Sequence, residues 1–364
     1  MFLSFDCENS MRHLLFFLLL AAAMSPTQTF GQPKDLFKGA VIDASQADDD
    51  FVVQGEYVGE LSPPGQPWMQ VGLQVVALGE GKFEGVLYRG GLPGAGWDGS
   101  RRQKTTGSRA GSRILLQGVT HQLLLAADQA AIYTADGKKA GVLSKTHRES
   151  PTMGAAAPPE ATVLFDGSNT EQFTGGKLAP DGTLLAGVLS KIAVHDFHMH
   201  LEFRTPYMPK ARGQGRGNSG VYIQQRYEVQ ILDSFGLDGA NNECGGLYTQ
   251  TAPSVNMCLP PLAWQTYDIW FTAAQWTADG KSKLANARIT VLHNGVPIHS
   301  EREITGKTGG GKVEGPEDFP INLQDHGNPV MFRNIWLVNG MVNRTVADVA
   351  PLPCPAPRRL RWRR

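Results

Sequence analysis

The sequence has little net charge, and its neutrality bears on what the protein binds. Its 364 residues include 34 acidic and 34 basic side chains, so the formal charges cancel at pH 7. A nucleic-acid-binding protein shows a basic field, which this chain lacks. We therefore expect no nucleic-acid partner and favour uncharged ligands.

Several catalytic signatures are also missing. The sequence contains no nucleophile elbow around a serine, no phosphate-cradling glycine loop, no dinucleotide-binding fingerprint and no zinc-protease helix. These absences exclude the reaction classes that depend on those motifs, and we expect no organic cofactor. Acid/base chemistry, with or without a divalent metal cation, remains.

Long apolar runs are absent except near the start of the chain. The apolar stretch 14–23 follows Arg12 and His13 and is too short to anchor a protein permanently in a bilayer. We interpret residues 1–32 as an export signal and predict a periplasmic or secreted protein. No other segment is apolar enough to cross a membrane, so no membrane span is expected.

Only four cysteines are present. Cys7 lies in the predicted signal and Cys354 near the tail, whereas Cys244 and Cys258 flank one loop. In an oxidising compartment a disulfide across that loop would contribute about 3 kcal/mol, and we predict it. Two separate buried thiols are the alternative. Metal ligation is less favoured because no further Cys or His has zinc-site spacing.

Composition and turn signals predict an all-β chain. Glycine (42) and proline (23) are abundant, and short β-branched and aromatic runs lie between them. Residues 33–149 read as a smaller accessory β-rich domain, 150–160 as a Pro- and Ala-rich linker, 161–340 as a β-sandwich and 341–364 as a basic C-terminal tail. The oligomeric state stays open.

A row of polar side chains runs through 217–234, GNSGVYIQQRYEVQILDS. Side chains alternate faces along a strand, so Glu228 and Gln230 share one face while Val229 and Ile231 point to the other. An acid beside an amide suits a polyol such as a sugar. A solvent-facing sheet without a ligand is an equally open interpretation.

A second polar row occurs in 193–204, AVHDFHMHLEFR. There His198, His200, Glu202 and Arg204 alternate with apolar residues, as expected for a strand that borders a wet cleft. His198 and His200 could bind a divalent metal from one face. The alternative is a solvent-facing strand with incidental histidines.

The segment 322–337, NLQDHGNPVMFRNIWL, adds further candidates. Asn322, Gln324 and His326 share a face, and His326 falls in a turn where it could act as a base or metal ligand. Arg333 lies among apolar residues, so we expect a buried guanidinium held by Asp325 or Asp233.

The segments 217–234 and 322–337, with VLFDG at 163–167 and WQTYDI at 264–269, resemble the 3-keto-disaccharide hydrolase domain family. The four blocks occur in the family's order, from Val163 to about Val338. The resemblance implies a concanavalin-like jelly-roll β-sandwich. It also implies a hydrolase or lyase–hydratase that acts on a small-molecule or oligosaccharide glycoside.

The implied reaction cleaves glycosides whose sugar carries a ketone at carbon 3. That ketone acidifies the hydrogen on carbon 2, so a modest base can start an elimination that water then completes. We expect Glu228 or His326 as the base, and Arg204, His200 or a divalent cation as the electrophile that holds the enediolate. The residues expected to orient hydroxyls or support the site are Asn218, Tyr222, Gln230, Asp233, Glu202 and Gln324.

Two other functions stay open from the sequence. A non-catalytic carbohydrate-binding module would use aromatic side chains, Tyr222 among them, and needs no base. A structural or adhesion domain needs neither. Convergence of Glu228, Glu202, His200 and His326 on one pocket would favour the enzyme, and Glu202 with Glu228 is the pair that a two-carboxylate glycosidase would require.

Overall fold

A computed structural model describes residues 39–62, 65 and 67–340. The predicted export signal, the predicted C-terminal tail, Cys7 and Cys354 lie outside the described residues. The predicted all-β fold class is confirmed, with 47 % of the described residues in strands and 4 % in helices. Within the described residues no helix is both long and apolar enough to cross a membrane.

The N-terminal half forms a closed antiparallel barrel in which each strand pairs with the next and β8 returns to β1. Alternating side chains such as Tyr57, Leu73 and Phe83 fill its interior. A short helix, α1 (Asp49–Val53), precedes the barrel and is capped by Asp48. The strands are β1 (Gly55–Leu61), β2 (Met69–Gly79), β3 (Lys82–Arg89), β4 (Gln103–Ala110), β5 (Arg113–Gln117), β6 (His121–Leu125), β7 (Gln129–Thr134) and β8 (Lys139–Thr146).

The C-terminal half is a sandwich of two antiparallel sheets. The five-stranded sheet has the order β10 (Phe173–Thr174), β12 (Val188–Val194), β21 (Phe319–Leu323), β14 (Ser219–Ile223) and β15 (Tyr227–Ile231). The seven-stranded sheet contains β11 (Leu184–Leu185), β22 (Met331–Asn339), β13 (Phe197–Arg204), β16 (Gln265–Thr272), β19 (Ala287–His293) and β20 (Val296–Ile304), with β9 (Thr162–Phe165) beside β22. Outside both sheets, β17 (Gln275–Trp276) pairs with β18 (Lys283–Ala285), and 3₁₀ turns lie at Ala44–Gln46 and Gly213–Gly215.

One apolar core lies between the two sheets. The apolar side chains of each strand point into it, so the polar side chains of the same strand point to an outer face. Val229 and Ile231 of β15 and Met199 and Leu201 of β13 all belong to this core. Since side chains alternate, Glu228 points away from the core on one outer face. His200 points away on the opposite outer face. The two polar rows of the sequence therefore lie on opposite sides of the sandwich.

The segment Ser150–Ala155, which we call the strap, lies on the outer face of the seven-stranded sheet. The Gly154 amide donates to Glu202 Oε1 at 2.6 Å, and Thr152 Oγ1 donates to Asp268 Oδ2 at 2.8 Å. The Trp336 indole N–H donates to the carbonyl oxygen of Ala155 at 3.1 Å. The first part of the Pro- and Ala-rich segment is thus bonded to the sheet along its length.

Cys244 and Cys258, for which we predict a disulfide, are free thiols in this structure. Both are buried and belong to the core between the sheets. Cys244 Sγ lies 3.2 Å from the Tyr267 hydroxyl, and Cys258 Sγ lies 3.5 Å from the carbonyl oxygen of Leu232. The thiols serve here as small apolar groups with weak polar contacts.

We expect alkylation to distinguish the native from the unfolded protein. Cys244 and Cys258 are 0 % and 1 % exposed, so iodoacetamide should modify neither in the folded protein. After denaturation without a reductant both should react, because no disulfide holds them. Peptide mass mapping measures this directly. A peptide pair joined through both cysteines would contradict the structure.

Candidate active site on the five-stranded sheet

The outer face of β14, β15 and β21 gathers the polar side chains that the sequence placed in two separate segments. Tyr222 lies directly opposite Glu228, and Gly220 opposite Gln230. On its other side Tyr222 lies opposite Asn322 of β21. We call this surface the amide face; its members are Asn218, Tyr222, Glu228, Gln230, Asn322 and Gln324.

Glu228 is the acidic group of the amide face and is only 2 % exposed. Burial raises the pKa of its carboxyl from 4.5 to about 7, and the nearby Tyr222 opposes that rise. A Cβ at Gly220 would collide with the Glu228 carboxyl, so only glycine lets that carboxyl lie across β14. The result is a buried carboxyl group that exchanges a proton near neutral pH.

Tyr222 supplies a neutral hydroxyl next to this carboxyl. Its hydroxyl donates to the carbonyl oxygen of Gly309 at 2.6 Å. Burial and the neighbouring Glu228 raise the pKa of the phenol well above its usual value, so Tyr222 stays protonated. A Cβ at Gly310 would lie 2.9 Å from this hydroxyl. The glycine run 309–311 is thus what allows its loop to approach Tyr222, and sequence reasoning missed it although the run itself was visible.

Sequence reasoning also missed Gln214, which hydrogen-bonds the side-chain amides of Asn218 and Gln230. Its Oε1 accepts from Gln230 Nε2 at 3.0 Å and from Asn218 Nδ2 at 3.1 Å, and its carbonyl oxygen accepts from Asn218 Nδ2 at 2.7 Å. Gln214 comes from the loop 205–218, where nothing in the sequence pattern singles it out. It holds two amides of the face in one orientation.

Two amide oxygens of the face are buried without a partner. Asn218 Oδ1 and Gln324 Oε1 accept no hydrogen bond from any described residue. A buried polar atom left unpaired costs about 1 to 3 kcal/mol, so such atoms in a native protein need an explanation. Hydroxyl groups of a bound sugar would satisfy both.

His326 lies at the rim of this face. It belongs to an exposed turn, and Asn328 in the same turn accepts at Oδ1 from the Asn218 amide at 2.8 Å. The Gly327 amide also donates to Asp325 Oδ1 at 2.8 Å, which closes the turn. Of the two bases expected from the sequence, Glu228 is therefore buried within the amide face and His326 is exposed beside it.

The structure does not bring Arg204, His200 and Glu202 to Glu228. All three lie on β13, on the opposite outer face of the sandwich, because β13 belongs to the other sheet. Arg204 instead donates to Asp181 Oδ2 at 2.7 Å and lies 4.8 Å from the centre of the Trp264 ring. The expected convergence and the expected enediolate roles of Arg204 and His200 are not found.

Glu202 is instead the centre of a buried ionic network under the strap. Arg333 Nε donates to its Oε2 at 2.5 Å, and His200 Nε2 lies 3.8 Å from its Oε1. Burial opposes the charge of Glu202, but the nearby His200 and hydrogen bonds from Asn334, Arg333 and the Gly154 amide outweigh it and lower the pKa to about 2. The carboxylate that holds Arg333 is thus Glu202 rather than Asp325 or Asp233, and the Arg333 side chain is 40 % exposed rather than buried as expected.

His200 is cationic in this network. Burial lowers its pKa, but the hydrogen bond to Asp268 and the nearby negative charge of Glu202 outweigh burial and raise it to about 9. Its Nδ1 lies 2.8 Å from Asp268 Oδ1. That nitrogen is taken by Asp268, and no group of three or more His, Cys, Asp or Glu within the described residues is placed to hold a metal. The residues therefore do not fit the expected metal site.

Asp233 is bound to another side chain. Arg216 Nε donates to its Oδ2 at 2.6 Å, and the Phe235 amide donates to its Oδ1 at 3.3 Å. Asp233 is 2 % exposed and Arg216 5 %. We expected Asp233 to orient hydroxyls or to support the residues that do, and a buried ion pair fits only the supporting role.

Comparisons with known proteins place this sandwich in a family. Residues 160–338 match the 3-keto-alpha-glucoside-1,2-lyase-like domain. No protein of curated function matches the chain. A solved "putative glycosyl hydrolase" from Parabacteroides distasonis ATCC 8503 is 33 % identical, with 50 % of this chain and 85 % of that one covered and a TM-score of 0.47.

Two further solved structures are more distant. A second "putative glycosyl hydrolase" from Parabacteroides distasonis ATCC 8503 is 18 % identical, covering 50 % of this chain and 94 % of that one, with a TM-score of 0.37. Trypanosoma rangeli sialidase is 10 % identical, covering 82 % of this chain and 52 % of that one, with a TM-score of 0.31. Through residues 160–338 the chain belongs to the 3-keto-alpha-glucoside-1,2-lyase-like domain family.

Proposed function

We propose that the protein cleaves glycosides whose sugar carries a ketone at carbon 3, with Glu228 as the base. One observation carries the proposal. Within β14, β15 and β21, Glu228 is the single carboxyl group on the outer face, and its pKa is about 7. A base with that pKa suits removal of a moderately acidic C–H bond at neutral pH.

The reaction starts at carbon 2, where the adjacent ketone acidifies the hydrogen. Glu228 takes this proton, the electron pair forms the double bond between carbons 1 and 2, and the group on carbon 1 leaves and receives a proton. Water then adds its hydroxyl to carbon 1 and returns a proton to carbon 2. The net result is hydrolysis, and the anionic enediolate is the species that the site must stabilise.

Neutral hydrogen-bond donors on the amide face fit that task. The side-chain N–H groups of Asn322 and Gln324 are uncharged dipoles in a partly buried site, where such donors stabilise developing negative charge well. The unpaired oxygens of Asn218 and Gln324 would accept sugar hydroxyls.

The geometry disfavours a two-carboxylate glycosidase. Such an enzyme needs a second carboxyl group within about 5 to 10 Å of the first, on the same side of the substrate. Glu202, the expected second acid, lies on the opposite outer face of the sandwich and is bound to Arg333. The elimination route requires one carboxyl group only.

The geometry also disfavours a carbohydrate-binding module without activity. Such a module uses an exposed aromatic ring as a platform for the sugar. Tyr222 is 5 % exposed, and its hydroxyl is held by Gly309. A raised carboxyl pKa has no role in a module that only binds.

We expect activity to require a ketone at carbon 3 of the substrate. A 3-keto-glucoside should be cleaved, while the parent glucoside should not, because its carbon 2 hydrogen is not acidic. In D₂O the recovered 3-keto sugar should carry deuterium at carbon 2, detectable by NMR. Cleavage of the parent glucoside at a comparable rate, or no deuterium at carbon 2, would contradict the proposal.

The pH profile should report the protonation state of Glu228. Its carboxylate is the active form, so kcat/KM should rise with pH, through a midpoint near 7, and then level off. His326→Asn should keep this limb because His326 lies outside the buried site. If His326→Asn instead abolished the limb and the activity, the base would be His326.

A further inference from the structure

A cleft of about 870 Å³ opens at one end of the barrel, away from the strands that form the amide face. It lies where β3 leads to β4 and β5 leads to β6. Its walls are formed by Trp97, the stretch 99–104, the stretch 119–121 and Asp238 from the sandwich. Mouths of small barrels are common ligand sites.

His121 places an unpaired acceptor at this mouth. It is 7 % exposed and faces the barrel interior, as do Leu123 and Leu125 of the same strand. Burial lowers the pKa of His121, so the ring is neutral at pH 7. One ring nitrogen therefore carries a proton and the other a lone pair.

The hydrogen bonds around His121 determine which ring nitrogen carries the proton. Thr120 Oγ1 lies 3.2 Å from Gln103 Oε1, an atom that can only accept, so the threonine hydroxyl donates to it. His121 Nδ1 lies 3.1 Å from Thr120 Oγ1, and because that hydroxyl proton is already used, Nδ1 must be the donor. Nε2 then bears the lone pair, is buried and has no partner among the described residues. A hydroxyl group of a ligand would supply the hydrogen-bond donor that Nε2 lacks.

Apolar surface lies beside this acceptor. Trp97 is half-buried, with its ring held edge-on to Tyr88 at 5.4 Å and its indole N–H donating to the carbonyl oxygen of Ser100 at 3.1 Å. Val119 is 96 % exposed. A fixed aromatic ring next to a few oriented polar atoms is the arrangement that binds the C–H face and the hydroxyls of a sugar ring.

We propose that this mouth is an accessory saccharide-binding site of the barrel. A sugar ring would stack on Trp97 and donate a hydroxyl to His121 Nε2. The proposal does not depend on Glu228 or on the oxidation state of the sugar.

The wall of the cleft continues toward the amide face. Arg102 donates to the carbonyl oxygen of Leu237 at 2.7 Å and forms an ion pair with Asp238, which fixes the loop that follows β15. Gln214 donates from Nε2 to the carbonyl oxygen of Asn242 in that loop at 2.6 Å. One loop thus joins the barrel mouth to the residue that orients Asn218 and Gln230.

Binding to Glu228→Gln protein, measured by isothermal titration calorimetry, tests the site without turnover. The probes are unoxidised disaccharides: cellobiose, maltose, trehalose and sucrose. Trp97→Ala and His121→Phe, each added to Glu228→Gln, should weaken binding of the best probe by about tenfold or more. Trp68→Ala is the matched control, since Trp68 is 68 % exposed on the barrel and does not line the cleft.

Two results would overturn the proposal. One is that none of the four disaccharides binds; the other is that Trp97→Ala and His121→Phe bind as well as the Trp68→Ala control. In the second case the sugar site would be the amide face alone. Turnover of a 3-keto-glucoside with a small leaving group should be unchanged in Trp97→Ala, so failure of this site and failure of the proposed reaction remain distinguishable.

Discussion

Glu228→Gln should lose turnover of a 3-keto-glucoside by about 10² to 10⁴ while keeping its affinity for the substrate. The amide preserves the shape of the side chain but cannot take a proton from carbon 2. Deuterium exchange at carbon 2 should be lost together with turnover. Comparison of kcat with a directly measured Kd checks this expectation, and an active variant would exclude Glu228 as the base.

The same substitution should stabilise the folded protein at alkaline pH. The folded-state pKa of Glu228 is about 7, above its ordinary value of 4.5. Its favourable contribution is therefore full below pH 4.5 and is lost as pH rises through 7, where a buried charge must form. At pH 8 the neutral amide avoids that loss, and we expect a gain of up to about 3 kcal/mol in the free energy of unfolding.

Urea unfolding at pH 5 and at pH 8 measures the effect. Glu228→Gln should differ little from the wild type at pH 5 and exceed it at pH 8. Glu171→Gln is the control because Glu171 is exposed, and it should show no gain at either pH. An equal stability of Glu228→Gln and wild type at both pH values would mean that the carboxyl is not desolvated.

Glu202→Ala should destabilise the protein by about 3 to 5 kcal/mol, since it leaves buried charges without their partner. Glu202 receives hydrogen bonds from Arg333, Asn334 and the Gly154 amide, and it lies beside the cationic His200. Removing the Glu202 carboxylate takes the counter-charge from Arg333 and His200 and breaks the hydrogen bond from the Gly154 amide of the strap. Glu171→Ala, in the same sandwich, should cost less than about 0.5 kcal/mol because that side chain is exposed.

The contribution of this network should depend on pH at both ends. The pKa of Glu202 is lowered to about 2 from 4.5, so its contribution is full above pH 4.5 and is lost as pH falls toward 2. The pKa of His200 is raised to about 9 from 6.5, so its contribution is full below pH 6.5 and is lost as pH rises through 9. The destabilisation by Glu202→Ala should therefore be largest between about pH 4.5 and 6.5. A cost that does not change with pH would indicate lost packing rather than lost ion pairs.

Local alternation in the sequence predicted which residues share a face but not which side of the sandwich that face occupies. Glu228 with Gln230, and His200 with Glu202, were paired correctly within their own strands. A period of two is the same for both sheets, so it carries no information about which sheet a strand joins. Which sheet a strand joins depends on pairing between residues far apart in the sequence. This pairing places β13 and β15 in different sheets, so the two polar rows are separated.

Contacts far apart in the sequence explain what else was missed. Gln214 has no periodic pattern, and its role depends on Gln230 in another strand. Pro- and Ala-rich composition is typical of a loose connector, yet the Gly154 amide and the Ala155 carbonyl oxygen bond to the seven-stranded sheet. Loop spacing predicts a disulfide between Cys244 and Cys258. In the structure both are free thiols in the core, and Cys244 Sγ contacts the Tyr267 hydroxyl.

The strap also limits how the barrel can move. Arg148, just after β8, donates to Glu56 at 2.6 and 2.7 Å and to the carbonyl oxygen of Pro93 at 2.7 Å, and the strap begins at Ser150. The chain is therefore pinned on the barrel and on the sandwich with almost no slack between them, so a hinge has no residues to use. Any change of shape on substrate binding would then have to come from the loops rather than from a bend between Arg148 and Ser150.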